Sequence, residues 1–173
     1  MDDVLVACVG NIFKSDDGFG VEVAAALSRY QGRHEVPEGV KVVDYGIRSV
    51  HLVYELLNGY DVLVLVDTVS RQEGPPGSLY VIEPDVPPRV HDDDVLPEVM
   101  LDPHDLSPGG VMELVPTLGG QVDRILVVGV QPVSVDDGIG LSDEVAAAVE
   151  PAATLVLEVV EREVERLRTR IRQ

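Results

Sequence analysis

Short Val-rich runs alternate with amphipathic stretches along the chain. Val4-Leu5-Val6-Ala7-Cys8-Val9 is wholly apolar and too short for an average helix, so it reads as a buried first strand. Val21 to Leu27 is a good helix former. Val40 to Tyr45 reads as a second strand, and Ser49 to Leu57 as a helix with Val50, Val53, Leu56 and Leu57 at helical spacing. Val62-Leu63-Val64-Leu65-Val66 predicts a strand buried on both faces that ends at Asp67. A turn over 72–77 leads to a short edge strand around Leu79 to Ile82. Residues 84–105, rich in Pro and Asp and without periodicity, read as a long surface loop. Ser107-Pro108 then opens a helix to about Leu118. Ile125 to Val130 is the last central strand. Ser142-Asp143-Glu144 caps a short helix, and Pro151 fits the first turn of a separate terminal helix. Leu155, Val156, Val159, Val160, Val164, Leu167 and Ile171 form the apolar stripe of that helix.

In order, these segments make a βαβ series, so an α/β protein on a mainly parallel sheet of about five strands is expected. Residues 1–173 carry no internal repeat and no linker, and their length suits one domain with its own core. Aromatic residues are scarce, leaving the core to Val, Leu and Ala. The single cysteine, Cys8, excludes an internal disulfide and suits a reducing cytoplasm. Met1-Asp2-Asp3 has no basic n-region, and no apolar run approaches the ~20 residues that span a bilayer. A cytoplasmic monomer without membrane segments is therefore expected. A formal net charge of −18 makes nucleic acid and anionic membranes poor partners.

The candidate chemistry begins in Gly10-Asn11-Ile12-Phe13-Lys14-Ser15-Asp16-Asp17-Gly18-Phe19-Gly20, between the first strand and the first helix. A glycine-rich turn at that junction is where open α/β sheets place their ligands. Two adjacent acids beside one cation, Lys14, oppose a phosphate cradle and suit a bound cation. Asp17, Asp67 and His104 (in Asp102-Pro103-His104-Asp105, ahead of a helix start) all fall on one edge of a parallel sheet. Two carboxylates and an imidazole there form an open site for a divalent transition ion, completed by water or substrate. Simpler roles stand beside this one. Asp16 or Asp17 caps the following helix, Asp67 accepts from a nearby turn, or His104 is a solvated loop residue. An acid directly after five apolar residues is costly without a partner, which favours a functional Asp67. Cys8 reads as core, His34 and His51 have no acidic or cysteine partner at ligand spacing, and His91 with Asp92-Asp93-Asp94 reads as a solvated loop in preference to a loose metal site. There is no His-Glu-x-x-His helix and no Gly-x-Ser-x-Gly elbow.

The chain resembles the endopeptidases that mature nickel–iron hydrogenases. The resemblance rests on Gly10-Asn11, Asp16-Asp17-Gly18-Phe19-Gly20, Val66-Asp67, Pro103-His104, Val128-Gly129-Val130-Gln131-Pro132 and Gly138-Ile139-Gly140-Leu141-Ser142. It implies a three-layer α/β/α sandwich around a twisted sheet. It also implies removal of a C-terminal extension from the hydrogenase large-subunit precursor after nickel insertion. Asp17, Asp67 and His104 would be both the metal-recognising and the catalytic residues. The nickel would arrive on the precursor's own cysteine thiolates, with Zn or Cd able to substitute. Gly10, Asn11, Asp16 and Gly46 would line the substrate's path. Asp44-Tyr45-Gly46-Ile47 stands where many members carry a glycine pair and a threonine. Two alternatives belong to other classes. A receiver-like phosphoacceptor domain also pairs acids after its first strand with an aspartate ending its third. Against it, Gln131-Pro132 stands where its lysine would follow the last central strand. The other is a non-catalytic metal- or tail-binding module on the same fold.

Overall fold

The computed structural model describes residues 3–31, 35–70, 73–84 and 120–171. The helix expected over 107–118, most of the loop expected over 84–105, and His34, His91 and His104 lie outside the described residues. Strands β1 (Val4–Val9), β2 (Val40–Gly46), β3 (Tyr60–Thr68), β4 (Leu79–Ile82) and β5 (Val122–Val130) form one sheet in the order β2-β1-β3-β5-β4. All neighbouring pairs are parallel except β4, which runs antiparallel to β5 at the edge.

Both faces of the central strands are covered, which is why β1 and β3 show no polar alternation. Val4, Val6 and Cys8 of β1, with Val62, Val64 and Val66 of β3, pack on helices α1 (Phe19–Gln31) and α3 (Asp143–Ile171). The intervening Leu5, Ala7, Leu63 and Leu65 pack with Leu52 and Leu56 of α2 (Ser49–Leu56) on the opposite face. The result is the expected α/β/α sandwich. Cys8 is fully buried, and burial, reinforced by the nearby charge of Asp44, pushes its thiol well above the usual range, so it is core.

The chain leaves β1 for β2 through α1, then crosses back over β1 to β3 through α2. Right-handed crossovers in opposite directions place those helices on opposite faces. The reversal leaves a crevice at the carboxyl ends of β1 and β3, the usual ligand position in such sheets.

The terminal helix departs from expectation. Pro151 does not begin a second helix; it lies inside α3, which is continuous from Asp143 to Ile171. Proline there removes the bond to the carbonyl four residues back, at a cost of about 3 kcal/mol. Pro151 faces solvent, while Val145, Ala148, Ala152, Val156, Val159, Val160, Val164 and Leu167 stay in phase and buried on either side of it. Each large side chain buried contributes ~1.5–3 kcal/mol, so one unbroken packed face outweighs the lost bond. Ser142 caps the helix as expected: its hydroxyl accepts from Val145 N–H at 3.4 Å.

Candidate active site

The loop from Gly10 to Gly18 folds tightly against the carboxyl ends of β1 and β3. Gly10 has φ +150°, and a Cβ there would run into the carbonyl oxygen of Asp17. A Cβ on Gly20 would strike the carbonyl oxygens of Val9 and Val66, so only glycine lets α1 start directly on the two strand ends. This close approach is what carries Asp17 to the crevice.

The two adjacent acids point into different environments. Asp16, at 1% exposure, is buried in a 3-10 turn (Ser15–Gly18). Its carboxylate accepts four hydrogen bonds, from the N–H groups of Val133, Ser134 and Ser142 and from the Ser142 hydroxyl, at 2.7–3.2 Å. Burial alone would push its proton affinity up, but these donors outweigh it and hold the carboxyl below the usual range. Asp16 therefore clamps the loop after β5 and the start of α3 to the first loop. Its side chain is enclosed, and its acceptor oxygens are engaged within the chain, so a contact with substrate would have to displace these bonds. It does not cap α1, since its partners lie across the fold.

Asp17 turns to the crevice. One carboxylate oxygen accepts from the Asn11 N–H at 3.0 Å, and the other accepts from the Thr68 hydroxyl at 3.3 Å. Asp67 lies inside β3 one residue before its end, in register with Gly129 of β5. It is buried, and its hydrogen-bond partner among the described residues is Thr68, whose N–H donates to it at 2.7 Å. Burial raises its proton affinity, the bonds from Thr68 offset only part of this, and the charge of Asp17 adds to it, giving a pKa of about 7. Topology thus brings Asp17 and Asp67 together.

Asn11 shapes the loop, its side-chain oxygen accepting from Phe13 N–H at 2.9 Å. Gly10 donates its N–H to the carbonyl of Gly46 at 3.0 Å, so the ends of β1 and β2 adjoin beside the crevice. His51 is exposed on α2. Among the described residues no group of three or more His, Cys, Asp and Glu side chains gathers into a metal cage. Asp17 and Asp67 supply two oxygen donors, and His104 lies outside the described part. Thr68, absent from the sequence-based expectations, touches both acids; its position directly after Asp67 at a strand end was the available signal.

Residues 21–159 match the sequence profile of the hydrogenase maturation proteases. The chain belongs to the hydrogenase maturation protease family. It is 29% identical over 154 residues to the hydrogenase 2 maturation protease of Escherichia coli K12, covering 89% of this chain and 88% of that relative. The fold is similar to the hydrogenase maturating endopeptidase HybD from E. coli, with TM-score 0.66 and 26% identity over 92% and 93% of the two chains. It is also similar to a hydrogenase 2 maturation peptidase from a Thaumarchaeota archaeon, with TM-score 0.62 and 31% identity over 91% and 97%. A member of this family is a peptidase, which displaces the phosphoacceptor alternative. Among the described residues of this maturation protease, no helix is long and apolar enough to cross a membrane.

Proposed function

We propose that this maturation protease is an endopeptidase that removes the C-terminal extension of a nickel–iron hydrogenase large-subunit precursor, and that it acts only once nickel is in place. The observation that carries the reading is the Asp17–Asp67 pair, held at the switch point of the sheet with Thr68 touching both acids. Burial is the main cause of the raised proton affinity of Asp67, and the charge of neighbouring Asp17 adds to the cost of ionising it. A divalent cation offsets that cost, and hard oxygen donors leave coordination positions open for the precursor's thiolates.

In this reading the ion belongs to the substrate, where it polarises the scissile carbonyl or activates water. Asn11 and Thr68 hold Asp17 in one orientation, so little reorganisation is needed when the ion arrives. Asp67, poised near neutrality, gives up its proton to become a ligand. An unmetallated tail offers this pair no cation and is refused. His104 is the third donor, and Gly10, Asn11 and Gly46 lie along the path of the segment to be cut. Zinc or cadmium should substitute in the free enzyme, which is expected to act as a monomer in the cytoplasm.

Incubation with nickel-loaded and nickel-free precursor, read by mass spectrometry, tests the reading. Loss of the C-terminal segment from the loaded form alone is expected, and His104→Ala should abolish it. Equal cutting of both forms would remove the nickel requirement, and cutting of neither would remove the function.

A further inference from the structure

Among the described residues, exposed large apolar side chains gather mainly on one edge of the sheet; Tyr54 and Leu57 on and just after α2, and Val81 on the edge strand β4, are exposed elsewhere. Ile12 and Phe13 follow β1, Ile47 follows β2, and Val133, Val135 and Ile139 follow β5; all six are exposed. Every one lies in a loop at the carboxyl edge of the sheet, the edge that holds Asp17 and Asp67. Backbone hydrogen bonds join these loops into one arc. Gly10 N–H donates to Gly46 C=O, Gly138 N–H to Phe13 C=O, Ser15 N–H to Gly138 C=O, and Asp16 N–H to Ser134 C=O. The Asp16 carboxylate adds its bonds to Val133 and Ser134. The arc is therefore built on fixed backbone. Apolar side chains held out to water around a crevice mark an interaction surface.

We propose that this arc docks an apolar face of the protein substrate, flanking the tail that enters the crevice. The occupant follows from position: the arc borders the crevice, a family peptidase must admit a polypeptide there, and a second copy seated on the arc would cover the acids. The inference rests on the function proposed above and adds where the substrate's body binds. Anchoring on preformed loops places the scissile bond without loss of affinity to loop ordering.

The full-length Phe13→Asp/Ile139→Asp double variant tests this, because those side chains are 64% and 85% exposed and the fold does not need them. With nickel-loaded precursor, KM should rise about tenfold or more while kcat and melting temperature hold. Unchanged KM would overturn the docking surface and leave the proposed function standing. Precursor affinity, measured without turnover, separates the two ideas. If the wild type binds precursor but never cuts it, the function falls, yet weakened binding by the variant still upholds the arc. Retained binding by the variant overturns it. A wild-type dimer that the variant dissolves in sedimentation would overturn it in favour of a second copy.

Discussion

Asp16 and Asp67 are both buried aspartates at the carboxyl edge of the same sheet, and their proton affinities move in opposite directions. Asp16 collects four hydrogen bonds and stays ionised. Asp67 receives its bonds from Thr68 alone among the described residues and faces a second carboxylate. Burial pushes both proton affinities up; at Asp16 four donors outweigh it, whereas at Asp67 burial is the largest influence and the bonds from Thr68 offset only part of it. A buried acid whose oxygens are satisfied belongs to the scaffold. One left short of donors beside another acid holds its proton more tightly.

The sharpest way to break this contrast is to neutralise each acid. Asp67→Asn should reduce precursor processing on the order of 10²–10⁴-fold while the protein stays folded, as read by mass spectrometry and a thermal melt. Its effect on stability depends on pH with a definite sign. The folded state binds the Asp67 proton more tightly than the unfolded chain does, between the ordinary value of 3.8 and about 7. Asp67 therefore lowers stability as pH rises through that window. Asp67→Asn should be more stable than wild type at pH 8, with the gap closing below pH 4; the gap grows by roughly 1.4 kcal/mol for each pH unit crossed inside the window.

Asp16→Ala should act mainly on stability. It strands three backbone N–H groups and a hydroxyl, a loss of about 3 kcal/mol, or a drop of roughly 6–12 °C in melting temperature. The sign with pH is opposite: stability from Asp16 is present above the ordinary carboxylate value and lost as pH falls through the lowered folded one. Unchanged melting with lost activity would exchange the roles of Asp16 and Asp67. A smaller effect sharpens the picture. Thr68→Val deletes the hydroxyl that orients Asp17, so activity should fall about tenfold with a melting temperature near wild type. Smallest of all is Arg29→Ala, which removes an exposed pair with Glu150 on α1 and α3. It should change stability by no more than about 0.5 kcal/mol in a denaturant titration.

Much of this was legible in the residues. β1 and β3 announced themselves because strands covered on both faces are apolar throughout, and the convergence of Asp17 with Asp67 followed from the switch-point rule once a parallel sheet was inferred. Pro151 misled because the proline rule is local while the packing of α3 is not: the buried stripe on both sides of it outweighs one backbone bond. The role of Asp16 was invisible because its partners lie more than a hundred residues away, in a loop whose own sequence carries no periodicity. The exposed arc was hidden for the same reason, since its members belong to three separate loops.

Calorimetric titration of Ni²⁺ into wild type, Asp16→Asn and Asp67→Asn tests the central contrast most directly. Weak binding by wild type, retained in folded Asp16→Asn and abolished in Asp67→Asn, is the expected result. Equal affinity of wild type and Asp67→Asn would contradict the account, because the acid short of donors would then have no part in holding the ion.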